Sequence, residues 1–509
     1  MTAQAPSGRP SRRLSGPPRT PPAPELIDSG FALEIADAPF LHAGLNLADL
    51  AHVIDLRRRK IIPDAAARDL IALLLEVHDI AAEDFPYDPA FGEPYNSREH
   101  YFVERLGNTA GWLHAGRPRR EAARIAMRLG IRRQLLELLD AVASFTRAAV
   151  SLAQQHIDTL MPDQTYLQQA QPSTFAHYIL SFAYPALRDG QRLLDELGWI
   201  NRSPGGAGCV NGTRLLDDRT FIAEALGFDD VIEHTRDAMW QVDGLIHILA
   251  TIASLVSTES KLAEDLEIWS STEFDFVDLD DGYARSSILM PQKRNPYSLS
   301  IVRGASGILV GRLSGFLAVA KSPSARSDNL IFAYGEVPRA LDLSIRVTRL
   351  MSGVTRTLRV NVERMARDLS AGYTQATDLS EFITQACMVD YRTAYVVVGK
   401  TVHEASILGI PGTEITGAML DEVALAETGQ DWGLSGKDLS SALDPAAVVR
   451  SRTGIGGAAP DAVATMISQC EGMIAILEDV VAQRRGELDR AEELLLAKAK
   501  EIASSRRNL

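Results

Sequence analysis

Glu121-AARIAMRLGIRRQLLELLDAVASFTRAAVSLAQQHID-Thr159 runs 39 residues without a proline and is rich in Ala, Leu and Arg. At roughly 1.5 Å per residue such a helix would reach about 60 Å, longer than one small globule needs. Working outward, Asp217 to Trp269 gives a second long helical tract, Tyr297 to Lys321 a third, and Arg339 to Arg367, just after Pro338, a fourth. Helices of this length pack best side by side in an elongated bundle. Upstream, Leu47-ADLAHVIDLRRRK-Ile61 and Asp64-AAARDLIALLLEVHDIA-Ala82 are amphipathic at spacings of three and four. Strand-like alternation is scarce, and the fold class expected is all-α.

Composition narrows the function. Of 509 residues, 46% are apolar, and 52 Lys plus Arg face 66 Asp plus Glu, a formal charge of −14. An acidic chain with no sustained basic stripe is a poor nucleic-acid binder. The three dispersed cysteines, Cys209, Cys387 and Cys470, form no CxxC pair and fit a reducing cytoplasm. No stretch reaches roughly 18 uninterrupted apolar residues, so no membrane span is expected; Gly244-LIHILATIASLV-Ser257 reads as a buried bundle helix. Residues 1–25 hold seven of the 24 prolines and are expected to be a disordered tail. The divisions expected after it are a helical domain at 26–115, a central bundle at 116–368, and a smaller helical domain with the terminal helix at 369–509.

One stretch looks like neither helix nor core: Gly282-YARSSILMPQKRNPYSLSIVRG-Ala305. It sets two serines, two cations and an amide near two prolines, just before a new helix that Pro296 can open. Hydroxyls in a turn, with Lys293 and Asn295 two residues apart, suit holding a carboxylate and delivering a base to it.

Ser287-ILMPQKRNP-Tyr297 resembles the signature loop of the fumarase/aspartase superfamily, and most closely its argininosuccinate lyase branch. Thr165-YLQQAQP-Ser173, Lys261-LAEDLEIWSSTE-Phe274, Leu358-RVNVERMARDL-Ser370 and Ser451-RTGIGGAAPDA-Val463 are similar in the same order. The resemblance implies a three-part helical fold and a homotetramer whose bundles pair into a twenty-helix core. It also implies active sites built from three subunits. The implied chemistry is cofactor-free and metal-free elimination from a small dicarboxylate, giving fumarate through an aci-carboxylate. That intermediate needs preorganised electrostatic stabilisation. Counting back from Pro291, Ser287 falls on the catalytic serine and Ser286 on the family's glycine, beside the substrate. Lys293 and Asn295 would grip its carboxylate.

The sequence departs from the family at three places. Thr165-Tyr166-Leu167-Gln168 stands where the family has Thr-His-Leu-Gln, and the glutamate that partners this histidine is Ser300. Thr165 would still bind substrate. Tyr166 could be an acid replacing the histidine; if no acid is needed, the leaving group would be weakly basic, nitrite or an N-oxygenated nitrogen among them. Pro118-Arg119-Arg120-Glu121-Ala122 keeps the carboxylate-gripping Arg119 but has Arg120 in place of asparagine. The segment that contacts the argininyl group becomes Arg326-SDNLIFA-Tyr334, with Arg326, Ile331 and Tyr334 replacing Tyr, Gln and Lys. Losing three polar contacts should redirect specificity away from argininosuccinate. The expected activity is a carbon–nitrogen lyase acting on an N-substituted succinate; the rival reading is a catalytically silent tetrameric scaffold. Glu264, Asp265, Asp278, Asp280 and Asp281 read as a solvated acidic face rather than a metal site.

Overall fold

The computed structural model describes residues 21–321 and 331–505. The expected tail falls mostly on residues 1–20, outside the described residues; from Pro24 onward the chain is already helical. The fold is helical throughout, as its periodicity requires. Arg119–Gln155, Phe175–Ile200, Asp243–Trp269, Tyr297–Ala320 and Glu336–Thr357 lie side by side as a five-helix bundle. Their apolar stripes meet in one core that includes Leu135, Phe145, Ile179, Ile252, Leu299 and Val347.

Differences from the expected boundaries have local causes. The first long helix stops at Gln155, because the chain turns at His156 and enters a two-stranded hairpin, Leu160–Thr165 with Gln168–Thr174. The tract from Asp217 to Trp269 is three helices, since the left-handed Gly227 ends the first and an extended Gln241 ends the second. The fourth tract breaks after Thr357, where Arg359–Val360 pairs with Val277–Asp278. Pro338 sits inside its first turn, where a missing N–H costs nothing.

A second core joins Ala38–Arg58 to Asp64–His78, and a third closes the small domain around Leu379, Val397 and Leu439. The terminal helix, Pro460–Ser504, packs Val463 to Leu488 on the bundle and Leu495, Ala499 and Ile502 on the N-terminal core, so it ties two parts together. Arg128 and Arg132, buried on the first long helix, donate to the carbonyls of Trp199, Ile200, Leu226 and Gly227. Arg128 thereby satisfies carbonyls that the end of Phe175–Ile200 leaves unpaired, and Arg132 does the same just past the end of Thr220–Ala225.

Asp243–Trp269 and Tyr297–Ala320 are long and apolar enough to span a membrane by length and composition alone. Both are bundle members. The first is mostly buried, while the second leaves Ile301 and Ile308 exposed on one flank and Val310 and Leu317 on the other.

Candidate active site

Arg119 opens its helix after the extended Pro118 and donates through Nη1 to Glu93 Oε1 at 3.1 Å. The other oxygen of Glu93 accepts from Tyr95 N and caps Pro94–Leu106, so one carboxylate aims Arg119 and starts a neighbouring helix. Behind them the buried Asp49 takes Arg98 and Arg117.

Glu121, fully buried two residues on, accepts backbone N–H groups from Gly206 and Gly208, each at 2.7 Å. Burial pushes its carboxyl up to about 7 despite those bonds. Both glycines have positive φ, the geometry in which successive N–H groups converge on one anion. The segment Gly205-GAGCVNG-Thr213 therefore cradles a side chain of its own protein. Arg120 lies over the Trp240 ring at 5.7 Å, and Trp240 Nε1 donates to Cys209 O, the residue after that cradle. A cavity of about 400 Å³ is lined by Arg119, Arg120, Arg124 and Tyr334, with Glu34 and Glu93.

The hairpin places Thr165 opposite Gln168, with Tyr166 and Leu167 between them. Both have positive φ, 54° and 58°, the pattern of a tight hairpin turn that normally takes Asn or Gly. Side chains other than glycine pay for this conformation, and such strain clusters at functional sites. Tyr166 is thrust outward, 99% exposed.

The signature loop is a second small hairpin. Arg285 pairs with Asn295 and Ser286 with Arg294, leaving 287–293 as the loop. Ser287 Oγ accepts from Leu289 N at 3.3 Å and Met290 N at 3.0 Å, and Ser287 N donates to Lys293 O. Hydrogen bonds donated to an oxygen favour its charged form. Lys293 is exposed, and Asn295 Nδ2 donates to Arg285 O at 3.0 Å. Arg294 binds Asp278, Asp281 and the Leu279 carbonyl, and Arg359 reaches the same Asp278. Burial opposes charge at Asp278, yet the bonds from Arg359 and Arg294 outweigh it and hold its carboxyl below the ordinary range. Asp278 and Asp281 are thus a clamp under the loop, while Glu264 pairs with Arg303 and Asp265 with Tyr178. Among the described residues no group of three metal-ligating side chains gathers.

Ser300 donates to Glu267 Oε1 at 3.2 Å, and Arg303 reaches the other oxygen of Glu267 at 2.6 Å. A carboxylate therefore stands beside position 300, supplied by the adjacent helix. His177 contacts Gly456 O and Ser173 Oγ, tying the hairpin to the Gly-rich turn at 454–457.

Within one chain these groups do not meet. Arg119 and Tyr334 sit at one end of the bundle. The Tyr166 hairpin lies at the other end, where Trp269 Nε1 reaches Gln164 and the signature loop begins. The intervening 37-residue helix puts about 55 Å between them. Arg326 lies outside the described residues.

Comparison with known proteins agrees with this architecture. The family described as Lyase matches residues 65–311, and the argininosuccinate lyase C-terminal family matches 373–450. An argininosuccinate lyase of Methanococcoides burtonii is 34% identical over 86% of this chain and 89% of its own. One from Oceanobacillus iheyensis is 34% identical over 91% and 99%. Among solved structures, EDDS lyase in complex with formate superposes with a TM-score of 0.86 at 29% identity, covering 96% of this chain and 98% of its own. A 3-carboxy-cis,cis-muconate lactonizing enzyme from Pseudomonas putida shares the fold, with a TM-score of 0.69 at 20% identity over 88% and 99%.

Proposed function

The chain belongs to the argininosuccinate lyase-like branch of the fumarase/aspartase superfamily and is a carbon–nitrogen lyase, and from that premise we propose that it eliminates an amine from an N-substituted succinate to give fumarate, or runs the addition in reverse. The observation that carries this reading is Ser287 Oγ, held by two backbone N–H groups on an exposed loop between Ser286 and Lys293. Those donors favour the alkoxide, the form able to take a carbon-bound proton. Negative charge then gathers on the substrate carboxylate as an aci-carboxylate. Lys293, Asn295, Arg119 and Arg120 stabilise it, with Thr165 and Ser286 beside it. The amine departs with a proton, for which Tyr166 is the exposed phenol at hand.

Because Arg119 stands about one helix length from the loop, each site takes groups from more than one chain. Two features support a homotetramer with its five-helix bundles paired. Ile288 and Leu289 at the loop tip are 103% and 85% exposed, apolar groups that a closed site would cover. Along Tyr297–Ala320, a Cβ added at Gly304, Gly307, Gly311 or Gly315 would meet nothing within 4 Å. Each glycine weakens a helix by roughly 1 kcal/mol, and four on one exposed face suit close approach by another helix.

Argininosuccinate itself is disfavoured, since Tyr334 stacks on Arg124 at 3.9 Å where a lysine would reach the argininyl group. The test is Ser287→Ala in a fumarate-release assay against N-substituted aspartates. Loss of a positioned general base should lower kcat by roughly 10²–10⁴, with melting temperature unchanged because the side chain supports no core. A variant as fast as the unaltered enzyme would overturn the reading.

A further inference from the structure

We propose that Glu121 is a positioning residue for dicarboxylate binding: held by the N–H groups of Gly206 and Gly208, its carboxylate fixes the helical turn that carries Arg119 and so aims that guanidinium at the substrate. This rests on the reading above only in taking Arg119 as a grip on a substrate carboxylate.

A helix opening is the loosest part of a helix, since its first N–H groups lack intrahelical partners. Arg119 stands at such an opening. Yet the turn around it is pinned on both sides. Two residues before it, the buried Arg117 pairs with Asp49 and donates to Ala48 O at 3.0 Å and to the Tyr95 hydroxyl at 2.9 Å. That fastens the entry to Ala38–Arg58. Two residues after it, Glu121 accepts both glycine N–H groups at 2.7 Å, fastening the turn to the segment 205–213. Arg117 and Arg219 are the charged groups facing Glu121, and Arg219 is itself held to Gly205 O at 2.8 Å. The two pins have opposite charge and separate anchors, so the backbone between them cannot slide without breaking one.

The glycine side is equally constrained. A Cβ at Gly206 would lie 2.8 Å from Arg219 Cγ, and one at Gly208 would lie 2.6 Å from Gly212 O. Ala207 between them is buried with Ala238 and Met239. Thr235 and Trp240 donate to Val210 O and Cys209 O, each at 3.0 Å. The cradle is therefore backed by the helix Thr235–Trp240 and has a fixed place of its own. Apolar packing could hold a helix end; a carboxylate taken fully out of water is a costly way to do so. That cost fits a position where the aim of a neighbouring guanidinium matters.

Succinate binding to the full-length protein, measured by calorimetry, tests this. Glu121→Gln keeps the shape but turns an amide NH2 toward one of the two N–H groups, so one bond must break. By charge alone, removing a negative group from behind Arg119 would tighten succinate binding. Positioning predicts the opposite, affinity weaker by about tenfold, the size of one charge-assisted hydrogen bond. Arg119→Lys decides whether that loss runs through the guanidinium. A point charge on a flexible stem keeps the attraction but depends little on backbone aim. In that background Glu121→Gln should cost less than about threefold. Glu121→Asp, a carboxylate one methylene short, should fall between Glu121→Gln and the unaltered protein, and it serves if Glu121→Gln does not fold. Binding unchanged or tightened by these substitutions, or an equal loss in both backgrounds, overturns the inference, as does unaltered protein that binds no succinate. The elimination is judged separately, by fumarate release with and without Ser287→Ala: its failure would leave a positioned dicarboxylate site, and its success would not rescue Glu121.

Discussion

Glu259 lies at the centre of the bundle, fully buried on Asp243–Trp269, with the Thr348 hydroxyl as the polar group facing its carboxylate. Burial pushes its carboxyl up to about 8, against the opposing pull of the Thr348 hydroxyl. The folded protein therefore holds a proton there that the unfolded chain releases near 4.5. Stability from this site is fully present below that lower value and is lost as pH climbs to about 8, on the order of 5 kcal/mol in all. Melting curves from pH 5 to 9 should show the unaltered protein losing stability relative to Glu259→Gln, with the two converging at the acid end. Parallel curves would contradict the assignment. Residue-level legibility was uneven for a physical reason. Ser287, Lys293, Asn295 and Arg119 sit in short contiguous motifs, so their order along the chain announces them. Glu121, Glu267 and Arg124 acquire meaning from partners far along the chain, Gly206 and Gly208, Ser300, and Tyr334. Nothing in the linear spacing carries that.

Among elements, the bundle helices were readable because a stripe at spacings of three and four is required of any helix facing a core. The hairpin at 160–174 was not. The exposed residues of its second strand are all glutamines, and its turn is Tyr166-Leu167 where Asn-Gly would have signalled it. Tertiary context forces that turn: Phe175 N bonds Thr159 O across the hairpin base, and Thr174 caps the next helix. The strain is measurable. Leu167→Gly should remove a left-handed penalty of about 1 kcal/mol and raise the melting temperature. Its kcat should hold or fall, since Tyr166 would be carried on a looser turn. A lower melting temperature would mean that Leu167 contributes packing worth more than the strain it causes. The loop at 282–297 shows the opposite case. Its motif was legible, but its footing was not, because the clamp of Asp278 by Arg294 and Arg359 joins segments 81 residues apart.

At the scale of the whole molecule, the chain divides its chemistry between the two ends of a rod. Arg119 and Arg124 lie at one end, and the Tyr166 turn and the Ser287 loop at the other. The three cores and the Pro460–Ser504 helix that spans two of them make the rod stiff, so bending cannot close the gap. Antiparallel pairing of rods can. The exposed glycine and aliphatic face of Tyr297–Ala320 is the surface most suited to it. Sites completed between chains carry a direct test. Ser287→Ala and Arg119→Ala protein, each inactive alone, are unfolded together, refolded, and assayed for fumarate release. If serine and arginine of one site come from different chains, random mixing leaves about one site in four with both natural residues. The account predicts activity returning toward that fraction of the unaltered enzyme's; a mixture as inactive as its components, though assembled into mixed oligomers, would contradict it.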